Sequence, residues 1–475
     1  MTRIVILAPG RSLGSLLLSC LLLVFASLSL AGAAAAAGKP LAEADILRLL
    51  KEKIPASALV SQIHQDKISF AVTKPVIDRL KSAGATQPVL EALRQAQPLG
   101  LVWSRPAAFT LSEEAFVEFT PLVVDGGHDY LACTDDERHV SLLTNAGGAW
   151  KAYPVAPDLS VGNNVGARVL GLAVHQGVAY VAMIPNLSGN MQLMLDYNPG
   201  GNPAGPWLRA SIYSTDSSQL QNPSLAVAGD QLVVAFDNFS APKHSSNDVF
   251  LGKIALSDLS GSGTPPSAGI TDLSAADDVP GGPSDMRPQL FSNNGELNLV
   301  WEKAGKTVVF SQAQIASGLD SLKQTQEIDT VTSPTDKSLQ LAASGNSALV
   351  ARFADDSNSS NAPGCCVVLA ASNADGNWST SNVGRTNLAL EAPGLAIGDC
   401  GPAIAYVRAV SGNGARLAVA TFAGGQWRTV ELSEESANQP RLAVTATGLD
   451  LVYLSAVGQI TVRSAVCYPP PAPLD

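Results

Sequence analysis

The spacing of apolar residues divides the chain near residue 98. Between residues 41 and 97, apolar side chains recur every three or four positions, as on one face of a helix. This segment also repeats itself at an offset of 30 residues, so that Leu47, Leu50, Lys51, Leu59, Val60 and Ile63 return as Ile77, Leu80, Lys81, Val89, Leu90 and Leu93. The repeat predicts a duplicated helix-turn-helix, with four short helices around one apolar seam.

After residue 98 the pattern changes to β-branched alternation interrupted by Gly and Asn turns, which predicts an all-β region. A short apolar strand, a turn and a second strand recur about every 53 residues, a spacing typical of propeller blades. The first strands are predicted at 122–124, 170–174, 225–227, 289–291, 339–342, 395–397 and 442–444. Proline stands just before or close to five of them, as Pro121, Pro223, Pro288, Pro393 and Pro440.

Seven units of four strands predict a mainly β fold, a seven-bladed β-propeller preceded by a small all-α domain, with six blades as the alternative. Fourth strands open with a turn and a tryptophan in four units, at Trp150, Trp207, Trp378 and Trp427. The seventh unit lacks a fourth strand, and we expect residues 101–112 to supply it, closing the ring between the chain ends. The predicted domains are a signal peptide (1–38), a helical module (39–98), the propeller (99–468) and a Pro-rich tail (469–475).

The net charge of the chain limits which binding partners can be expected. The chain carries 41 acidic and 30 basic residues, for a formal net charge of -11, whereas residues 39–98 alone carry 9 basic and 6 acidic ones. Because phosphate binding needs clustered Lys and Arg, we expect no nucleic-acid partner. The mildly basic helical module could dock on an acidic or membrane surface, but an ordinary solvated helix surface is the favoured interpretation.

The first 38 residues have the pattern of a secretory signal. They contain Arg3 and Arg11, no acidic residue, an apolar stretch at 13–31 and small residues at 33–38. We expect cleavage near residues 35–38 and a periplasmic or secreted protein. An uncleaved membrane anchor is the alternative, and a lipoprotein modified at Cys20 is a third, less favoured one. No later segment is apolar over about 18 residues, so no further membrane span is expected.

The remaining cysteines do not define a site by their spacing. After removal of the signal an odd number is left, scattered over the β region: Cys133, Cys365, Cys366, Cys400 and Cys467. This is neither a disulfide framework nor the paired spacing of a zinc site. Cys365 and Cys366 could form a vicinal disulfide or remain as two buried thiols.

Two stretches of the β region carry a family resemblance. Residues 223–236 and 417–427 resemble the repeats of exported bacterial propellers of the sialidase-like and BNR-repeat group, and the helical module resembles one near the N-terminus of many exported bacterial proteins. An Asp box of that group places Ser, acid, Gly and Trp at relative positions 0, 2, 4 and 7. Here Ser372, Asp375, Gly376 and Trp378 lie at 0, 3, 4 and 6. The resemblance therefore implies the architecture and not a complete Asp box.

Candidate binding residues lie on one predicted face. In a propeller, the loops that join second to third strands, and one blade to the next, share the usual ligand face. The hypothetical binding residues there are Asp135, Asp136, Glu137, His139, Asp237, Asp355 and Asp356, with Asn238, Asp277, Asp278 and Asp285 nearby. Their oxygens could hold calcium. Because no D-x-[DN]-x-[DN]-G loop is present, solvated acidic turns are favoured and no cofactor or metal is expected.

No catalytic constellation is evident, and no catalytic residue is assigned. The resemblance implies that a sialidase would need three arginines, a Tyr and Glu pair and an acid. Several arginines are available, but none lies in the family's Arg-Ile-Pro motif: Arg287, Arg352, Arg408, Arg441 and Arg463. Ser-His-Asp chemistry lacks its G-x-S-x-G elbow. We therefore expect an exported non-enzymatic binding or scaffold protein with a protein or glycan ligand, and a carbohydrate-active or lectin-like propeller as the alternative.

Overall fold

The computed structural model divides the chain into two compact units, Leu101–Cys467 and a smaller one made of Met1–Gly100 with Tyr468–Asp475. The structure describes residues 40–474 apart from 98–99, 163–167, 188–189, 217–219, 240–245, 260–267, 275–283, 294, 304–306, 315–319, 324, 331–338, 346, 356–365, 375–376, 387–391, 411–413, 424, 433–436 and 469–472. The predicted signal segment therefore lies outside the described residues.

Four short helices form the described part of the smaller unit. They are α1 (Glu43–Lys51), α2 (Ala56–Asp66), α3 (Lys74–Ser82) and α4 (Gln87–Ala96). Proline stands in the first turn of α3 and of α4, where its missing N–H costs no helical hydrogen bond. Ile63 and Leu93, which the 30-residue repeat relates, are both fully buried in one apolar core. Among the described residues, no helix is long and apolar enough to cross a membrane.

The larger unit is a seven-bladed β-propeller, as predicted, and its first three blades follow one another along the chain. Each is an antiparallel sheet whose first strand lies innermost. The strands are β3 (Phe116–Phe119), β4 (Val123–Asp125), β5 (His128–Asp135), β6 (Val140–Thr144) and β7 (Lys151–Pro154) in blade 1; β8 (Leu170–His175), β9 (Val178–Met183), β10 (Met191–Tyr197) and β11 (Leu208–Thr215) in blade 2; β12 (Leu220–Ala228), β13 (Gln231–Phe239), β14 (Asn247–Ala255) and β15 (Gly269–Asp272) in blade 3.

Blades 4 to 6 repeat this order. Their strands are β16 (Asp285–Asn293), β17 (Glu296–Lys303), β18 (Thr307–Gln314) and β19 (Gln326–Thr330); β20 (Gln340–Ser344), β21 (Ser347–Asp355), β22 (Cys366–Ala374) and β23 (Asn377–Thr386); and β24 (Gly394–Gly398), β25 (Gly401–Val410), β26 (Gly414–Ala423) and β27 (Gln426–Glu431). Each blade is a four-stranded sheet with consecutive strands paired.

Blade 7 closes the ring with strands from both ends of the unit. It contains β28 (Asn438–Thr445), β29 (Gly448–Ala456) and β30 (Gln459–Tyr468), and β30 pairs on its outer side with β1 (Gly100–Trp103) and β2 (Ala107–Thr110). This confirms the predicted closure. Gly458 permits it, because its φ is +59° and a Cβ there would lie 2.0 Å from the Ser112 carbonyl oxygen.

Apolar clusters lie between neighbouring blades and form the core of the propeller. The four tryptophans that open fourth strands each pack against the preceding blade, Trp150 on blade 7, Trp207 on blade 1, Trp378 on blade 4 and Trp427 on blade 5. A disulfide joins Cys400, in the turn after β24, to Cys467 in β30. Cys133 is free and buried, while Cys365 lies outside the described residues.

Candidate functional site

Four of the predicted binding residues lie together in the turn between β5 and β6, which we call the acidic turn (residues 135–139). The Asp135 carboxylate accepts a 2.8 Å hydrogen bond from the His139 backbone N–H, and its other oxygen lies 3.4 Å from His139 Nδ1. Glu137 Oε2 is 3.7 Å from the same nitrogen. Asp136 and Glu137 are exposed, so water solvates most of this turn.

The structure adds Glu114, which the sequence analysis does not select, to the acidic turn. One carboxylate oxygen from each of Glu114, Asp135 and Asp136 lies within 4.8 Å of the others. A hydrogen bond to Asp135, together with its negative charge, raises the pKa of the Glu114 carboxyl. Carboxylates at this spacing suit a hard cation. Calcium binding here, the less favoured interpretation of the sequence, stays untested.

The other predicted residues do not join the acidic turn. Asp237 is fully buried and accepts hydrogen bonds from Asn222 Nδ2 at 2.7 Å, Asn247 Nδ2 at 3.3 Å and the Arg287 backbone N–H at 3.2 Å. Asp355 is the last residue of β21, but its side chain, like the whole of Asp356, lies outside the described residues. Asp237 therefore lies apart from the acidic turn, among buried polar side chains of blades 3 and 4.

A channel with a volume of about 350 Å³ runs between the innermost strands of the seven blades. Its wall is apolar along most of its length, with residues such as Leu225, Leu341 and Leu442. At the end where the innermost strands begin, charged and amide side chains replace the apolar ones. The polar residues that line the channel there are Arg168, Gln289, Gln340 and Arg441. We call these four, together with the polar residues grouped around them, the hub; the others are Glu118, Asn222, Asp237, Arg287, Glu302 and Gln439.

A recurrent backbone irregularity places the hub side chains. Asn222, Arg287 and Gln439 each precede a proline, and each has a positive φ of 50° to 58°. The strand pairing shifts at the same three places, as in a β-bulge. The bulge lets these residues reach a neighbouring blade: Asn222 Oδ1 accepts from the Arg168 N–H before blade 2, and Gln439 Oε1 accepts from the Phe119 N–H of blade 1. The prolines predicted to mark blade starts thus also build the hub.

Arg441 joins three blades. Its guanidinium donates to the backbone carbonyls of Thr120 and Phe119 in blade 1, at 2.9 and 2.8 Å, and to that of Ala392 before blade 6, at 3.1 Å. A further bond goes to the carbonyl of Pro440. Because Arg441 is buried and its charge is spread over carbonyl dipoles, it acts as a structural staple of the ring.

Arg168 has a different environment. Its Nη2 crosses the channel and donates to the Leu339 carbonyl of blade 5 at 2.9 Å. Of the five N–H donors on the side chain, this is the one that bonds a described residue, and no described carboxylate forms an ion pair with it. Burial, and then the positive charge of nearby Arg441, lowers the pKa of Arg168 to about 10. Arg168 lines the channel, and the nearby carboxylates of Glu118 and Glu302 offset part of this lowering of its pKa.

Carboxyl groups surround these arginines. Glu302 binds Arg287 Nη1 at 2.5 Å. Glu118 accepts the Val169 N–H at 3.1 Å, next to Arg168, and burial raises the pKa of its carboxyl. Burial also raises the pKa of Asp237 to about 7. The hub therefore combines arginine charges with two carboxyls, Glu118 and Asp237, whose pKa burial raises.

The hub is largely absent from the sequence-based site. Arg287 and Arg441 are among the arginines available for a sialidase site, but neither lies in a family motif. The sequence does not mark Arg168, Glu118 or Glu302 as binding residues. The usable signal was the polar residue before proline at 222, 287 and 439, which recurs at the start of an innermost strand. No such proline marks Arg168, so only closure of the ring reveals its position opposite Leu339.

No protein-family model matches the chain, and no curated protein matches it in sequence. Similar solved structures include a polysaccharide lyase, with a TM-score of 0.47 and 9% identity over 78% of this chain and 100% of that one. An endosialidase of phage phi92 has a TM-score of 0.46 and 9% identity, covering 77% and 69%. A Trypanosoma rangeli sialidase has a TM-score of 0.40 and 10% identity, covering 75% and 59%.

These comparisons correct the expected function. The sequence favours a non-enzymatic binding or scaffold protein over an enzyme, and that order is wrong: similar solved structures are mostly carbohydrate-active enzymes, among them also an arabinanase and a fructofuranosidase. Side chains that are assembled across blades, as in the hub, leave no contiguous motif in the sequence. At such low identities and TM-scores, substrate and mechanism must come from the residues of this chain.

Proposed function

We propose that this propeller is a carbohydrate-active protein that takes an acidic sugar unit, a uronate or a sialate, at the hub end of its central channel. The observation that carries the proposal is the Arg168 guanidinium, which faces the channel with four N–H donors that no described residue accepts. A carboxylate is the natural complement of that fork, because two of its oxygens match two parallel N–H groups.

Electrostatics favours an anion at this place. Repulsion from Arg441 and Arg287 lowers the pKa of Arg168, and attraction from Glu118 and Glu302 opposes part of that effect. A sugar carboxylate beside Arg168 would offset this repulsion. A neutral sugar would not, so the hub should discriminate between acidic and neutral glycans. The channel volume of about 350 Å³ lies at the lower end of ligand pockets and suits one sugar unit.

Glu118 is the hub carboxyl best placed to move a proton. It binds the backbone N–H next to Arg168, and it is only partly buried. Burial raises the pKa of its carboxyl, which is the direction that a general acid for glycosidic cleavage requires. Asp237 is fully buried and holds Asn222 and Asn247, so in this proposal it positions the hub and does not touch the sugar.

Export belongs to the same proposal. The signal-like pattern of residues 1–38 supports it, and so does the disulfide between Cys400 and Cys467, since disulfides persist in oxidising compartments. The sialidase-like, BNR-type resemblance of the repeats, with a bacterial source, is part of this proposal too. N-terminal sequencing of the mature protein, with a first residue between 35 and 39 expected, tests the export step.

Incubation with acidic and neutral polysaccharides tests the function. Polygalacturonate, alginate, ulvan and polysialic acid form the acidic set, with starch and xylan as the neutral set. We expect products from at least one acidic polymer and none from the neutral ones. New reducing ends alone would indicate hydrolysis, and reducing ends with the ultraviolet absorbance of an unsaturated uronate would indicate elimination.

Matched variants separate the hub from the rest of the protein. Arg168→Met keeps the length of the side chain and removes its charge, and Glu118→Gln removes the proton. Both should lower product formation by at least tenfold, while Arg416→Met, on the exposed side of blade 6, should leave it unchanged. Full activity in Arg168→Met, or cleavage of the neutral polymers alone, would contradict the proposal.

A further inference from the structure

A second cleft lies on the outside of the propeller, between blades 1 and 2. It has a volume of about 620 Å³, and its walls come from the end of β7 and the following loop on one side and from β10 and β11 on the other. Two aromatic side chains, Tyr153 and Trp207, line it together with Asp158, Asp196 and Arg209. We call this the outer cleft. It shares no lining residue with the central channel.

One arginine fixes two carboxylates at the outer cleft. Arg209 Nε and Nη2 each donate to Asp196 at 2.8 Å. Nη1 and Nη2 donate to Asp158 at 3.0 and 3.2 Å. Asp196 is buried, with 1% of its surface exposed, whereas the Asp158 side chain is 67% exposed. The buried Asp196 carboxylate thus anchors the Arg209 guanidinium. The guanidinium in turn orients the exposed Asp158 carboxylate at the cleft.

The charge of this group excludes an anionic ligand. Two carboxylates share one guanidinium, and hydrogen bonding to Arg209 lowers the pKa of Asp158, which therefore stays ionised. Four of the five Arg209 N–H groups are already used, so little positive charge is left to bind a carboxylate or phosphate. What the cleft offers a ligand is the free lone pairs of Asp158. These accept hydrogen bonds from hydroxyl groups.

Trp207 supplies a flat apolar surface beside that acceptor. Its Nε1–H donates to the Pro203 carbonyl at 3.3 Å, and the ring packs against the apolar cluster between blades 1 and 2. The ring is only half-buried. An immobilised indole face next to an ionised carboxylate can accommodate the C–H face of a pyranose ring while its hydroxyls bond to the acid.

We infer that the outer cleft is a binding site for a neutral sugar unit, with Trp207 as the stacking platform and Asp158 as the hydroxyl acceptor. The inference does not depend on the function proposed for the channel, because different residues form the two sites. If both hold, the protein binds a glycan at two places of opposite charge preference, an acidic unit at the hub and a neutral unit outside.

Titration of the full chain with neutral oligosaccharides tests the inference. The probes are trisaccharides to hexasaccharides of β-1,4-linked glucose, xylose and mannose. Tryptophan fluorescence and saturation-transfer NMR measure their binding. We expect at least one series to bind. Trp207→Ala should weaken its binding by at least tenfold, Trp207→Phe by no more than about threefold since it keeps an aromatic face, and Asp158→Ala by about tenfold.

Two controls make the outcome decisive. Trp427→Ala removes a half-buried tryptophan from the corresponding strand of blade 6, outside the outer cleft, and should leave binding unchanged. Arg168→Met should also leave it unchanged, which distinguishes this site from the hub. Because Asp158 is exposed, Asp158→Ala should fold, and its binding can be measured even if Trp207→Ala does not fold. Absence of binding by every neutral probe, unchanged binding in Asp158→Ala, or binding of a proline-rich peptide in place of the sugars would overturn the inference.

Discussion

The hub and the acidic turn lie at the same face of the propeller, yet their polar groups are held in opposite ways. In the acidic turn, Asp136 and Glu137 are exposed and contiguous in sequence. In the hub, Arg441 and Asp237 are buried; Arg441 binds a carbonyl 321 residues away in the chain, and Asp237 binds the Arg287 N–H of the next blade. Water stabilises the charges of the turn, whereas only protein dipoles and counter-charges stabilise those of the hub. Sequence contiguity is therefore a poor guide to where charge is energetically important in this fold.

Removal of the staple should give the largest effect. Arg441→Ala leaves four backbone carbonyls without their donor across three blades, so we expect the propeller to lose about 3–5 kcal/mol of unfolding free energy. Urea denaturation followed by circular dichroism measures it. Arg416→Ala, an exposed arginine paired with Glu431, is the control and should cost less than about 0.5 kcal/mol. Equal losses in the two variants would remove the distinction between buried and exposed arginines.

Buried carboxyls should make stability depend on pH. Burial raises the pKa of Asp237 and Asp129 to about 7 in the folded protein, against an ordinary value near 4 in the unfolded chain. Both groups must therefore give up a proton less readily when folded, and the free energy of unfolding should fall as pH rises from about 4 to about 7. Each group contributes up to about 4 kcal/mol.

Asp129→Asn isolates one part of this dependence. Asp129 also faces Asp450, whose negative charge raises the same pKa, and Asn145 donates to Asp129 at 2.9 Å. An amide at position 129 can accept from Asn145 and donate to Asp450, so the variant should be more stable than the wild type at pH 8 and lose the advantage at pH 4. Asp136→Asn is the exposed control. An unaltered pH slope in Asp129→Asn would contradict the assignment.

Replacement of Arg168 should change the unfolding free energy much less than replacement of Arg441. Among the described residues, Leu339 alone accepts a hydrogen bond from the Arg168 guanidinium, which lies near positive and negative charges alike. Arg168→Met should therefore change the unfolding free energy by less than about 1 kcal/mol, in either direction. Urea midpoints of the two arginine variants, compared side by side, check this. A loss in Arg168→Met as large as that in Arg441→Ala would mean that Arg168 is a second staple and not a binding group.

The smallest effect is expected in the acidic turn. Asp136→Asn and Glu137→Gln remove exposed charges and should each alter the unfolding free energy by less than about 0.5 kcal/mol. Thermal unfolding with and without millimolar calcium gives the readout. A calcium-dependent rise in the melting temperature that Asp136→Asn abolishes would show that the turn holds a cation. The carboxylates of the acidic turn would then contribute to stability, as the buried charges of the hub do.

The propeller could be predicted from the sequence because its signals are local. Prolines at 121, 223, 288, 393 and 440 stand at or near the start of innermost strands, and alternation along each strand marks the buried face. The outer strand supplied by residues 101–112 followed from counting: the seventh unit was one strand short. The tryptophans before fourth strands identified the blade interfaces because a large ring needs a neighbouring sheet to cover it.

The hub could not be predicted in the same way. Arg168 and Leu339 meet across the channel although 171 residues separate them. Cys400 and Cys467 likewise meet only because blades 6 and 7 are neighbours. Such contacts depend on the number of blades and on the angle between them, which no local pattern encodes. The acidic residues 135–137 can be recognised in the sequence because they are adjacent. In this fold, adjacent acidic residues are typical of exposed turns.

Calorimetric titration at pH 7 tests most directly whether the hub binds an acidic sugar. Tri-galacturonate and sialyllactose are the acidic ligands, with cellotriose and lactose as their neutral counterparts, and the proteins are the wild type, Arg168→Met and Arg416→Met. The account predicts that an acidic ligand binds the wild type and Arg416→Met alike and binds Arg168→Met at least tenfold more weakly. Equal affinity of Arg168→Met and wild type, or no binding of either acidic sugar, would contradict it.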